Sequence, residues 1–122
     1  MTSTEQRRQA EKRGRWAETL CALILRLKGY RIVARNWRVP TGEADIIALQ
    51  RRDLVFVEVK SRMTMENALY AISEKQQRRI TSAAGAWLGQ HPECANLHVR
   101  FDVMAVAPWR YPKHIRAAWG HD

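Results

Sequence analysis

The sequence predicts an α/β domain whose elements run α-β-β-β-α-β, with a mixed central sheet flanked by helices. Three observations predict it. Two stretches, near residues 16–27 and 73–88, carry apolar residues at helical spacing. Between them, "YRIVARNWRV", "EADIIALQ" and "DLVFVEVK" are β-like and separated by short turn signals. A last β-like stretch, "LHVRFDVMAVA", follows the second helix. Short turns make the first three strands an antiparallel meander. The second helix is then a right-handed crossover, so the third and last strands run parallel.

Ser3 or Thr4 is placed to cap a first helix beginning near Glu5. Within it Trp16, Ala17, Leu20, Cys21, Leu23, Ile24 and Leu27 cover most of the circumference, which predicts packing on more than one side. Gly29 ends the helix. "YRIVARNWRV" is polar in places and reads as an edge strand, and Pro40, Thr41 and Gly42 turn the chain out of it. The next two strands join at Arg51-Arg52, and a looser segment, "SRMTMENALYAI", follows. Ser73 with Gln76 three positions later is a capping box. The helix it opens turns Ile80, Ala83, Ala84, Trp87 and Leu88 to one side and stops before Pro92. No linker or repeat divides the chain, so residues 1–122 read as one domain with a basic arm (about 1–13) and an unassigned tail (about 108–122).

A chain of 122 residues that is 46% apolar can bury a core without staples. Twenty-one basic residues against twelve acidic give a formal charge of +9. That excess draws polyanions, with nucleic acid first and anionic membrane or acidic protein next. Cys21 and Cys94 lack metal-ligand spacing and read as thiols in a reducing compartment. The charged N-terminus is unlike a signal peptide. The longest apolar run, "LCALIL", falls far short of the ~20 residues that cross a bilayer. A soluble, cytoplasmic protein with no membrane partner is the expectation.

Charge enters the meander where apolar residues end. A turn at Arg51-Arg52 sets Leu49 opposite Leu54, Ile47 opposite Phe56 and Asp45 opposite Glu58. Lys60 lies two residues on, on the same strand face as Glu58. Opposed carboxylates repel unless a divalent cation sits between them or one is protonated. Magnesium, or manganese in its place, suits hard oxygen ligands of this kind. A lysine there can hold an attacking water or neutralise charge developing on phosphorus. Gln76 and the helix N-terminus around it are expected to point to the same spot. Glu18 shares a helix face with Gly14, Cys21, Ala22 and Leu25, an apolar setting that demands a partner. Plainer roles stay open: Glu18 can pair with Arg15 or Arg26, Gln76 can serve only as the capping-box member, and Glu43 reads as supporting.

Asp45…Glu58-x-Lys60 resembles the PD-(D/E)XK nuclease signature, and the element order is that superfamily's restriction-endonuclease-like core. "GRWAETLCALILRLKGYRIVARNWRVPTGEADIIA", "LVFVEVKSR" and "RFDVMAV" resemble the YraN family of small bacterial proteins, which is similar to archaeal Holliday-junction resolvases. The likeness runs from about Gly14 to Val106. It implies that Asp45, Glu58 and the backbone carbonyl of Val59 hold the metal and that Lys60 is the catalytic lysine. It also sets Glu18 in the place of a helix-borne glutamate and Gln76 in that of a helical glutamine, and it suggests a homodimer. Ala44 stands where the family more often has a bulkier aliphatic residue.

The expected activity is magnesium-dependent hydrolysis of DNA, including branched or structured DNA, with DNA ahead of RNA as partner. Arg7, Arg8, Arg13, Arg15, Lys75, Arg78 and Arg79 are candidates to grip backbone phosphates. Trp16 and Trp37 are candidates to stack on bases, with core packing the leading role for Trp16. Two other readings stay open, a nuclease-fold module that binds without cutting and a basic accessory protein of RNA or the ribosome.

Overall fold

The computed structural model describes residues 2–120. Helix α1 (Ser3–Leu27) leads into strands β1 (Arg31–Val39), β2 (Gly42–Gln50) and β3 (Asp53–Ser61). Two further helices follow, α2 (Met65–Leu69) and α3 (Glu74–Gln90), and then β4 (His98–Val106) and β5 (Lys113–Trp119). The sheet order is β1-β2-β3-β4-β5, antiparallel throughout except for the parallel β3–β4 pair. This is the expected α/β fold, consistent with a restriction-endonuclease-like core. The parallel pair exists because α3 carries the chain back across the sheet.

Each sheet face has its own core. Ala17, Cys21, Ile24 and Leu25 of α1 pack on Ile46, Val55, Val57 and Met104. On the other face Ile80, Ala84 and Trp87 of α3 pack on Ala44, Ile47, Phe56 and Phe101. Capping is local and complete at the starts of α1 and α3. Ser73 and Gln76 form the expected box, and Thr2, rather than Ser3 or Thr4, caps α1 because Glu5 stands three residues beyond it. The basic arm is therefore a continuation of α1 and not a separate segment.

Several expectations change. α1 packs on one side only: Leu23 and Leu27 are exposed, since its outer face has no layer above it. The segment after β3 holds a short helix, α2, capped by the Thr64 hydroxyl on the Asn67 N–H. The tail holds β5, antiparallel to β4, and its last two residues lie outside the described residues. Cys21 and Cys94 are both free and buried. No helix among the described residues is long and apolar enough to cross a membrane.

Gly42 is required by a close approach. A Cβ there would stand 1.9 Å from the backbone oxygen of Arg79 in α3, too near for any side chain. Beside it, Arg79 clasps Glu43, with Nη2 donating to Oε2 at 2.7 Å and Nε at 3.0 Å. Backbone contact and ion pair together dock α3 over the start of β2, the strand that carries Asp45.

Candidate active site

The β2–β3 ladder has the predicted register, Leu49 with Leu54 and Ile47 with Phe56, and its last pair is Ile46 with Val57. Asp45 and Glu58 come one step later, where the strands part. There a side chain replaces the ladder: Asp45 Oδ2 accepts from the Val59 N–H at 2.8 Å. Strict alternation would put Asp45 with Ile47 under α3. Instead it lines a cleft of about 470 Å³ beside α1, together with Gly14, Arg15, Glu18, Asn36 and Val59. The alternation slips here, since Ala44 and Ile47, three apart, both pack under α3. Across the strand pair, Asn36 adopts a left-handed backbone, φ 49°.

Glu58 and Lys60 follow the apolar run of β3 and are themselves buried, Nζ to Oε1 2.8 Å. Burial, then the neighbouring Asp45, pushes the Glu58 carboxyl up to about 7, despite Lys60. Burial also raises Asp45, against the pull of the Val59 N–H. Glu18, buried on α1, is raised by burial and then by Asp45. Its partner is neither Arg15 nor Arg26 but Arg35 of β1, whose Nε donates to Oε1 at 3.3 Å. Asp45 thus presses on both Glu18 and Glu58 around one split in the sheet.

A doubly charged cation would relieve such a cluster. Asp45 and Glu58 present hard oxygens, of the kind that magnesium takes one or two at a time, completing its shell with water and phosphate oxygens. Among the described residues no three acidic, histidine or cysteine side chains stand close enough to hold a metal by themselves. The residues therefore fit a two-carboxylate site, not a closed protein cage.

The other predicted residues divide. Gln76 lines neither this cleft nor the one beside Lys60; its Oε1 accepts from the Ser73 N–H at 3.1 Å, the capping role. Arg15 lines the Asp45 cleft, and Arg13 lines a cleft of about 160 Å³ that includes Lys60 and Ser61. Arg7 and Arg8 are exposed further up α1. Lys75 and Arg78 are exposed on α3, across the sheet from α1, so the basic candidates form two groups. Arg79 is committed to Glu43, which is held below the usual carboxylate range by that guanidinium and supports the fold as expected. Trp37 is half-buried and packs edge-on against Trp87, centroids 5.3 Å apart. Trp16, expected in the core, is 64% exposed.

Sequence reasoning missed Asp102. This fully buried carboxylate accepts from Arg100 Nε and Nη2, both at 2.9 Å, from His114 Nε2 at 2.7 Å and from the Ala117 N–H at 3.0 Å. Lys28 donates to the other His114 ring nitrogen at 3.0 Å, which places the ring proton on Nε2. Burial pushes Asp102 up, but these donors together hold it below its ordinary value. The signal was a lone aspartate inside the apolar run "FDVMAV".

The family model described as "Uncharacterised protein family UPF0102" matches residues 17–106. The chain belongs to this family. A UPF0102 protein of Rhodopseudomonas palustris (strain BisA53) is 48% identical over 110 residues, 90% of this chain and 85% of its own length. One of Methylocella silvestris is 47% identical over 118 residues, 97% of this chain and 95% of its own. The UPF0102 match takes in Glu18, Asp45, Glu58, Lys60 and Asp102. It leaves out residues 1–16 and all of β5.

Proposed function

We propose that this UPF0102 protein is a magnesium-dependent endonuclease that hydrolyses DNA phosphodiester bonds, including those of branched or structured DNA. The observation that supports this reading is the meeting of Asp45 and Glu58, both raised, with a buried lysine 2.8 Å from Glu58, in a chain of charge +9. Asp45 and Glu58, with the Val59 carbonyl, would hold the cation. Bound there, it would supply Lewis-acid stabilisation to the phosphate under attack.

The protein's own groups have separable tasks. Asp45 is fixed in place by the Val59 N–H, so its carboxylate needs little reorganisation to serve as a ligand. Lys60 can turn from Glu58 toward a phosphate oxygen, where its charge opposes the charge that develops in the transition state. Glu18 lines the cleft floor beside Asp45 and can accept a proton from an incoming water, because its affinity for one is raised. Arg13 and Arg15, in the two clefts that share Gly14 and Val59, can position backbone phosphates.

The test is incubation with duplex, forked and four-way DNA in magnesium or manganese, beside Asp45→Ala. Cleavage by the wild-type chain, reduced by about 10²-fold or more in the variant, is the expected result. Tight binding with no cleavage by either protein would sink the reading. It would favour the non-cutting module, for which the closed Glu58–Lys60 ion pair is the specific observation.

A further inference from the structure

Arg13 and Ser61 connect the Lys60 cleft to a third one, of about 340 Å³, whose other walls include Trp16, Leu20, Trp109 and Arg110. Its chemistry is unlike that of its neighbours. Two large aromatic side chains are spent on solvent here, Trp16 at 64% exposure and Trp109 fully exposed. Trp109 also takes a left-handed backbone, φ 62°, in the turn between β4 and β5. A tryptophan held outward at a conformation that disfavours it gains nothing for the fold, and such strain marks binding surfaces. Neither Arg13 nor Arg110 has a carboxylate partner among the described residues. The cleft therefore combines flat apolar faces with uncompensated guanidinium groups. Trp16 and Trp109 both lie outside the span matched by the family model.

We infer that this cleft receives an unpaired base of a DNA strand, held against both Trp109 and Trp16, while Arg13 and Arg110 hold its flanking phosphates. The inference rests on the proposed nuclease reading and narrows its substrate to DNA with a single-stranded segment next to the phosphate beside Lys60. Charge decides the occupant: an apolar peptide or a second copy of this basic chain would leave both guanidinium groups uncompensated, whereas a nucleotide offers a π face and a phosphate together.

Binding is measured by fluorescence anisotropy in EDTA, so that nothing is cut, on a blunt duplex and on the same duplex with a short single-stranded DNA or RNA tail. Trp109→Ala and Trp16→Ala alter exposed side chains and leave the core intact. The expected result is preference for the DNA tail over blunt DNA, reduced about tenfold by either substitution while blunt-duplex affinity holds. Quenching of tryptophan fluorescence by the tail, lost in Trp109→Ala, is expected alongside. Equal losses on both DNAs, no loss on either, or a preference for the RNA tail overturns the inference. So does a concentration-dependent dimer abolished by Trp109→Ala with tail binding unchanged, which assigns the cleft to a second copy. If tails are preferred but magnesium elicits no cutting, the nuclease reading fails and the stacking cleft stands; cutting without a tail effect has the opposite meaning.

Discussion

Glu58 keeps its proton far more tightly in the folded chain than an unfolded glutamate does, about 7 against 4.5. Such a group stabilises the fold fully below its unfolded value and loses that contribution as pH rises through about 7. Glu18 and Asp45 are raised too and act with the same sign. The cost of ionising Glu58 is on the order of 3 kcal/mol. In EDTA, the unfolding midpoint should therefore fall between about pH 5 and about pH 8, and Asp45→Asn should recover part of the loss at the upper end only. A midpoint that climbs over that range would refute the charge crowding. Asp102 is the opposite case, a buried carboxylate whose every lone pair is used. Asp102→Ala leaves Arg100 with only Asp53 and Tyr30 and frees His114 and the Ala117 N–H, so a loss of about 3 kcal/mol is expected in urea unfolding. The remaining protein should lose hydrogen-exchange protection first in β5.

At the level of elements, the docking of α3 on β2 depends on a missing side chain. Gly42→Ala puts a methyl group into the Arg79 backbone, which belongs to a helix and cannot swing aside. Overpacking of this kind costs about 1–3 kcal/mol. A crystal structure of the variant should show α3 displaced and the Glu43–Arg79 pair broken; an unchanged stability and pair would contradict the account. The β2–β3 hairpin was readable from sequence because a two-residue turn and an alternating pattern leave one register that buries both inner faces. β5 was not, since "KHIRAAW" offers little apolar alternation, and beyond its ladder with β4 it is tied in through Asp102, a contact 15 residues from Ala117. α2 is a single turn and more, too short for periodicity to register. Trp16, Leu23 and Leu27 misled for a different reason: α1 carries more apolar residues than one sheet face can cover. The Asp45 cleft was legible in its residue types, yet its turn toward α1 came from a slip in alternation that no sequence pattern announces.

Over the whole molecule, the free candidates for phosphate contact are divided between two layers, Arg7, Arg8, Arg13 and Arg15 on α1 and Lys75 and Arg78 on α3. Only the first group reaches the candidate site, through Arg13 and Arg15. If DNA lies along α1, the double substitution Arg7→Ala/Arg8→Ala should weaken binding to all sequences alike and lower the salt slope by about 2. Arg79→Ala should leave that slope unchanged and cost stability instead, as its charge is already spent on Glu43. A slope insensitive to the α1 arginines would move the DNA to the α3 layer. The sheet itself closes off one mode of association. Its two outermost strands are the irregular ones: β1 shifts register between Ile32 and Ala34, and β5 kinks at Ala117, φ 50°, to feed Asp102. Crooked borders make poor templates for a foreign strand, so copies of this protein crowded in a cell meet no straight edge along which to zip into fibrils.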